Sequence, residues 1–141
     1  MVKTKVSKMI DSSSTRTSRI LLAEDDDVNQ DIVRAYLADM RNVELVITSD
    51  GRQALEAALG SRFDLMIFDQ QMPHITGDRV LLHLRAGRSC NAATPVIRFT
   101  AAAEARPVDI RQVGGVAEVT LPKPLGMETF VSTVKSMLGA V

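Results

Sequence analysis

The sequence predicts an α/β fold of the (βα)5 kind, a doubly wound parallel five-stranded sheet with helices on both faces. Three observations predict it. Short, continuously apolar runs alternate with segments whose apolar residues recur at 3.6-residue spacing, the pattern of buried parallel strands joined by crossover helices. The 141 residues suit one domain. Acidic, hydroxyl and ammonium side chains stand at the ends of four of the five runs, where open α/β sheets bind their ligands.

The elements follow in order. Ile20–Ala23 is the first strand, and it runs directly into acids. Ile32, Val33, Tyr36, Leu37 and Met40 repeat at helical spacing and make the first helix. Val43–Thr48 is the second strand. Ala54, Leu55, Ala58 and Leu59 give the second helix, closed by Gly60. Leu65–Phe68 is the third strand, followed by a turn through Gln70 to His74. Val80, Leu81 and Leu84 line the third helix, which stops near Gly87, and Pro95–Phe99 is the fourth strand. Pro107 suits a first helical turn, so a short fourth helix is expected over Pro107–Val113, ended by Gly114-Gly115. Val116–Leu121 is the fifth strand. Pro124 opens the last helix, with Phe130, Val131, Val134, Met137 and Leu138 on one face.

Composition excludes several classes. The single cysteine, Cys90, allows neither a disulfide framework nor a multi-cysteine zinc site. The sequence contains no apolar run long enough to cross a membrane, and its polar start shows no secretory signal; a cytoplasmic protein is the expectation. Net charge is zero but uneven. Residues 1–19 hold five basic side chains against Asp11, a net +4, whereas residues 20–141 hold 12 basic and 16 acidic, a net −4. A mildly acidic body argues against a nucleic-acid-binding domain, whose basic charge sits on the folded surface. Residues 1–18, basic and rich in Ser and Thr, lack the apolar area to offset the entropy of ordering. They read as a disordered leader, and the folded domain as residues 19–141.

At the strand ends, Glu24 and Asp25 follow the first strand, Asp69 the third, Thr100 the fourth and Lys123 the fifth. Two carboxylates about 4 Å apart repel by roughly 4 kcal/mol at an effective dielectric near 20. Such a cluster protonates or loosens unless a cation fills it. Oxygen donors without His or Cys favour Mg²⁺ or Mn²⁺ over zinc. A metal beside Lys and Thr neutralises the oxygens of a phosphoryl group, and Asp69 is then either a ligand only or a nucleophile that forms an acyl phosphate. Asp26 and Asp27 are placed as a cap and a first-turn acid of the first helix. His74, His83 and Cys90 carry no comparable constellation.

Four segments, in this order and spacing, resemble the receiver domain of two-component response regulators: ILLAEDDDVNQ (20–30), FDLMIFDQQMP (63–73) with Gly77, TPVIRFTA (94–101) and LPKP (121–124). The resemblance covers residues 20–138. It implies a flavodoxin-like strand order 2-1-3-4-5 and Mg²⁺-dependent transfer of a phosphoryl group from a histidine kinase or histidine phosphotransferase onto Asp69. It further implies Glu24, Asp25, Asp69 and the backbone carbonyl of Gln71 as metal ligands. Lys123, Thr100 and the small Ala101 are implied at the phosphoryl group, with Thr100 carrying the switch outward to a downstream protein. The implied module is self-phosphorylating and self-dephosphorylating rather than an enzyme acting on other substrates, a monomer or weak dimer; with the last helix ending at Leu138 and no long apolar run, neither a DNA-binding output domain nor membrane contact is expected.

The chain also departs from the family. Thr120 stands where an aromatic is common, Arg98 stands where the fourth strand usually has a small or apolar residue, and the stretch from Thr100 to Lys123 is one residue longer than usual. A single-domain regulator and a receiver cut from a hybrid histidine kinase both fit. Two other readings compete: a receiver-like binding module that works without phosphate, and a haloacid-dehalogenase-type phosphatase. The latter carries its nucleophile on the first strand with a second Asp two residues on, a pair that Asp25 and Asp27 imitate; the chain lacks room for its cap.

Overall fold

A computed structural model of the chain describes residues 16–87, 89–100, 109–113 and 116–139. In chain order its elements are β1 (Ser18–Ala23), α1 (Asp27–Leu37), β2 (Val43–Thr48), α2 (Gly51–Gly60), β3 (Leu65–Asp69), α3 (Gly77–Ala86), β4 (Val96–Thr100), β5 (Asp109–Val113), β6 (Val116–Pro122) and α4 (Met127–Gly139). The sheet order is β2-β1-β3-β4-β6-β5. Pairings of β1 with β2 and β3, of β3 with β4 and of β4 with β6 are all parallel. Those five strands alone run 2-1-3-4-5, as expected. Their register sets Asp69 beside Phe99 and Thr100 beside Pro122, so the carboxyl ends of β1, β3, β4 and β6 share one edge.

Alternation along the strands sends successive side chains to opposite faces, and each face has its own core. One holds Ile20, Leu22, Leu65, Ile67, Ile97, Phe99, Val119 and Leu121 under α1 and α4. The other holds Leu21, Ala23, Met66, Phe68 and Val96 under α2 and α3. Capping residues begin three helices: Asp26, Asp50 and Thr76 accept from the backbone N–H of Asn29, Gln53 and Arg79, each satisfying a donor that the helix leaves free. Asp27 lies in the first turn of α1, as the sequence reading has it.

Two boundaries differ from expectation. β1 starts at Ser18, ahead of its apolar run, because the Ser18 N–H donates to the Asn42 carbonyl at 2.8 Å. Arg16 pairs with Asp64 at 2.8 Å, so ordered contacts reach into the expected leader, whose residues 1–15 lie outside the described ones.

The larger correction concerns the fourth helix. Residues 109–113 form a strand, β5, antiparallel to β6, with Val113 paired to Val116 and Asp109 to Thr120. A seven-residue helix has little to stabilise it without an apolar surface to cover. The second sheet face offers none there, since β4 and β6 present Arg98, Glu118 and Thr120 where β1 and β3 present core residues. The Gly114-Gly115 pair is a hairpin signal as well as a helix stop, and the antiparallel pairing on either side of it fits the first. Among the described residues, no helix is long and apolar enough to cross a membrane.

Candidate functional site

Three carboxylates and one ammonium meet at the shared edge. Glu24, directly after β1, is fully buried, Asp69 at the end of β3 is buried, and Asp25 is exposed. One carboxylate oxygen from each of the three lies within 4.8 Å of the others. Lys123 Nζ stands 3.1 Å from Asp69 Oδ2 and 3.3 Å from Glu24 Oε1. Asp69 Oδ1 accepts from the Gln71 N–H at 3.1 Å.

Backbone contacts hold these groups in place. The Glu24 N–H donates to the Thr48 carbonyl, the Gln70 N–H to the Phe99 carbonyl and the Lys123 N–H to the Thr100 carbonyl, at 3.0, 3.2 and 2.9 Å. Each bond ties a site residue to the neighbouring strand. Gly77 brings the start of α3 against β3: a Cβ there would lie 2.7 Å from the Asp69 carbonyl oxygen, so no larger residue fits without displacing the backbone at the site.

Burial sets the electrostatics. The Glu24 carboxyl is pushed up to about 7. Loss of water is the largest cause; the neighbouring Asp69 adds to it, and the Asp26 N–H and the Lys123 charge oppose it. For Lys123, burial pulls downward, but the hydrogen bond to Asp69 and the charges of Glu24 and Asp69 outweigh it, and its pKa is raised. The ammonium is therefore held charged. One positive charge against three carboxylates leaves the site short of cations. Glu24 Oε1, buried, accepts no hydrogen bond and meets Lys123 as an ion pair only. An all-oxygen donor set with this deficit fits a hard divalent cation such as Mg²⁺.

Of the residues expected from sequence, Glu24, Asp25, Asp69 and Lys123 converge. Thr100 is buried at the end of β4, on the same edge. Gln71 touches Asp69 through its N–H, whereas its carbonyl was the expected ligand. Ala101 lies outside the described residues. His74, with φ 69°, shapes the turn after Asp69 and is exposed; His83 is exposed on α3, and Cys90 is exposed. The sequence reading gave no role to Gln30, whose buried carboxamide donates to the Glu24 carbonyl at 2.7 Å, or to Tyr36, whose hydroxyl donates to the Leu125 carbonyl at 2.9 Å. A polar residue on the buried side of an amphipathic helix was the available signal for Gln30.

The chain is similar to known proteins in sequence and fold. The family model described as the response regulator receiver domain matches residues 20–135. The polar-differentiation response regulator DivK of Brucella ovis is 30% identical over 123 residues, which cover 87% of this chain and 98% of that protein. The receiver domain of the sensor histidine kinase PA1611 from Pseudomonas aeruginosa, solved with magnesium coordinated in its active-site cleft, is 25% identical with a TM-score of 0.71. That match covers 87% of this chain and 98% of the other. The chemotaxis protein CheY4 of Vibrio cholerae is 27% identical with a TM-score of 0.69, over 86% of this chain and 99% of the other.

Proposed function

Because the chain belongs to the response regulator receiver family of two-component signalling, we propose that Asp69 is its phosphoacceptor and that a histidine kinase or histidine phosphotransferase is the donor. The observation that carries this reading is the contact of Asp69 with Lys123 at 3.1 Å, beside the Glu24–Asp25 acid pair. An Asp69 carboxylate oxygen attacks phosphorus, the P–O bond forms as the P–N bond of the phosphohistidine breaks, and the imidazole leaves. Lys123, held charged by its two carboxylate neighbours, pairs with a phosphoryl oxygen and offsets the charge brought in. Glu24, Asp25 and Asp69, with the Gln71 carbonyl, would hold Mg²⁺ or Mn²⁺, which neutralises phosphoryl oxygens when bound. The magnesium coordinated in the active-site cleft of the PA1611 receiver supports the choice of metal. Thr100 and Ala101 complete the phosphoryl pocket in this reading, which casts the chain as a signalling module whose chemistry is its own phosphorylation and dephosphorylation.

Intact-mass spectrometry after incubation with acetyl phosphate and Mg²⁺ tests the proposal. One phosphoryl adduct is expected on the wild type, lost on chelation and absent in Asp69→Asn. An adduct that persists in Asp69→Asn overturns the assignment; no adduct under conditions that label another receiver favours the phosphate-independent binding module.

A further inference from the structure

The second sheet face carries an ionic chain that starts beside Asp69. Gln70, next to the acceptor, donates through Nε2 to Asp78 Oδ2 at 3.1 Å. Asp78, exposed in the first turn of α3, also faces Arg98 on β4, with Oδ1 at 3.1 Å from Nε. The Nη2 of Arg98 stands 3.1 Å from Oε1 of Glu118 on β6, whose other oxygen is 3.8 Å from Arg85 Nη2. Glu118 is buried, with 6% of its surface exposed.

The members are not equally fixed. The guanidinium of Arg85 donates to the carbonyls of Asn91, Ala92 and Thr94 at 2.9–3.1 Å, which pins it to the loop before β4. Glu118 lies in the field of that fixed cation, 3.8 Å away. Arg98, by contrast, meets two carboxylates at once and at equal distance: buried Glu118 through Nη2, and through Nε, as an ion pair without a hydrogen bond, the exposed Asp78 that Gln70 ties to the phosphoacceptor turn. Gly77, beside Asp78, is packed against the Asp69 carbonyl, so displacement of the 69–71 turn reaches Asp78 through both the backbone and Gln70. On β4, Arg98 precedes Thr100 by two residues and so shares its face. Opposite it in the register stands Thr120, too small to act as a lever itself.

We propose that Arg98 is a two-position ionic lever: filling the site at Asp69 draws Asp78 away, and Arg98 shifts its pairing toward Glu118, carrying the state of the site to β6. Because the two contacts use different nitrogens, the one to Asp78 can break while the one to Glu118 stays, which gives the lever its second arrangement. Arg98 is a positioning residue here, and the proposal rests on the phosphoacceptor reading of Asp69.

The test uses ¹⁵N-labelled protein titrated with beryllofluoride in Mg²⁺, which mimics an acyl phosphate. Backbone amides of Gln70 and Gln71 report loading, and the Arg98 Nε–Hε resonance, identified by its loss in Arg98→Met, reports the lever. Loading is expected to move both. Asp78→Asn, a change at an exposed residue, is expected to displace the Arg98 resonance toward its loaded position before any ligand is added. By reciprocity it also changes the beryllofluoride midpoint by about fivefold or more. An Arg98 resonance that ignores loading overturns the lever, as do midpoints within twofold of wild type in Asp78→Asn. If the Gln70 and Gln71 amides do not respond, the phosphoacceptor reading fails and the lever falls with it.

Discussion

Asp69 and Lys123 are 54 residues apart in the chain and 3.1 Å apart in space. The contact depends on parallel pairing across three strands, β3 to β4 to β6, in one register. Lys123 also reaches Glu24 at 3.3 Å, so one ammonium balances two buried carboxylates. Removing it leaves the buried carboxyl groups of Glu24 and Asp69 facing each other without a compensating charge. Lys123→Met is therefore expected to reduce the acetyl phosphate adduct at least tenfold, read by intact mass. Lys123→Arg is expected to rescue little, because a planar fork does not replace a point charge between two carboxylates.

The raised Glu24 carboxyl makes the metal-free protein pH-sensitive in a defined direction. The folded state keeps this proton up to about pH 7, whereas the ordinary value is 4.5. Stability from this group is full below pH 4.5 and is lost as pH rises through 7. The loss is at most about 3 kcal/mol. Urea denaturation of the chelated protein at pH 5 and pH 8 should show it, and Glu24→Gln should flatten the difference by being the more stable protein at pH 8.

A divalent cation should reverse that trend. Mg²⁺ binds the folded state and not the unfolded one, so at a hundred times its Kd it adds about 2.7 kcal/mol. Thermal unfolding with and without saturating Mg²⁺ is expected to show a rise in Tm of several degrees in wild type and a small fraction of it in Asp25→Asn. An undiminished rise in the variant removes Asp25 from the metal site.

Gly77→Ala should damage the site without touching a charged group. The new Cβ would lie 2.7 Å from the Asp69 carbonyl oxygen and 3.2 Å from Phe68 Cβ, so the 69–71 turn must move. A loss of about 1–3 kcal/mol is expected in denaturant, together with slower adduct formation.

Asn91 provides the converse case. It is fully buried, its amide donates to the Ala58 and Ser61 carbonyls, and its Oδ1 accepts from Phe63 N–H and Thr94 Oγ1. Asn91→Ala leaves several of these unsatisfied and should cost about 2–4 kcal/mol. Adduct formation by the folded fraction should stay at the wild-type rate, since these bonds join α2 to the loop before β4, away from Asp69.

The residues proposed to carry the chemistry were legible because each ends a strand. Ile20–Ala23, Leu65–Phe68 and Val116–Leu121 are apolar enough to be read as buried, so the acids and the lysine that follow them are forced to the sheet's edge. The cap at Asp26 was equally local. The stretch after Thr100 was less legible, because a short segment such as DIRQV takes its structure from what it packs against, and the polar face made by Arg98, Glu118 and Thr120 is known only once the strands are aligned.

The sequence by itself determined the alternation of strands and helices, the strand-end carboxylates and the lysine, because burial periodicity and local capping act over a few residues. Only the tertiary structure decided that Gln30 braces Glu24, that Arg98 is shared between Asp78 and Glu118, and that residues 109–113 extend the sheet. Those outcomes depend on contacts between groups up to 20 positions apart, whose energies are set by register and burial. Neither quantity exists until the sheet has formed.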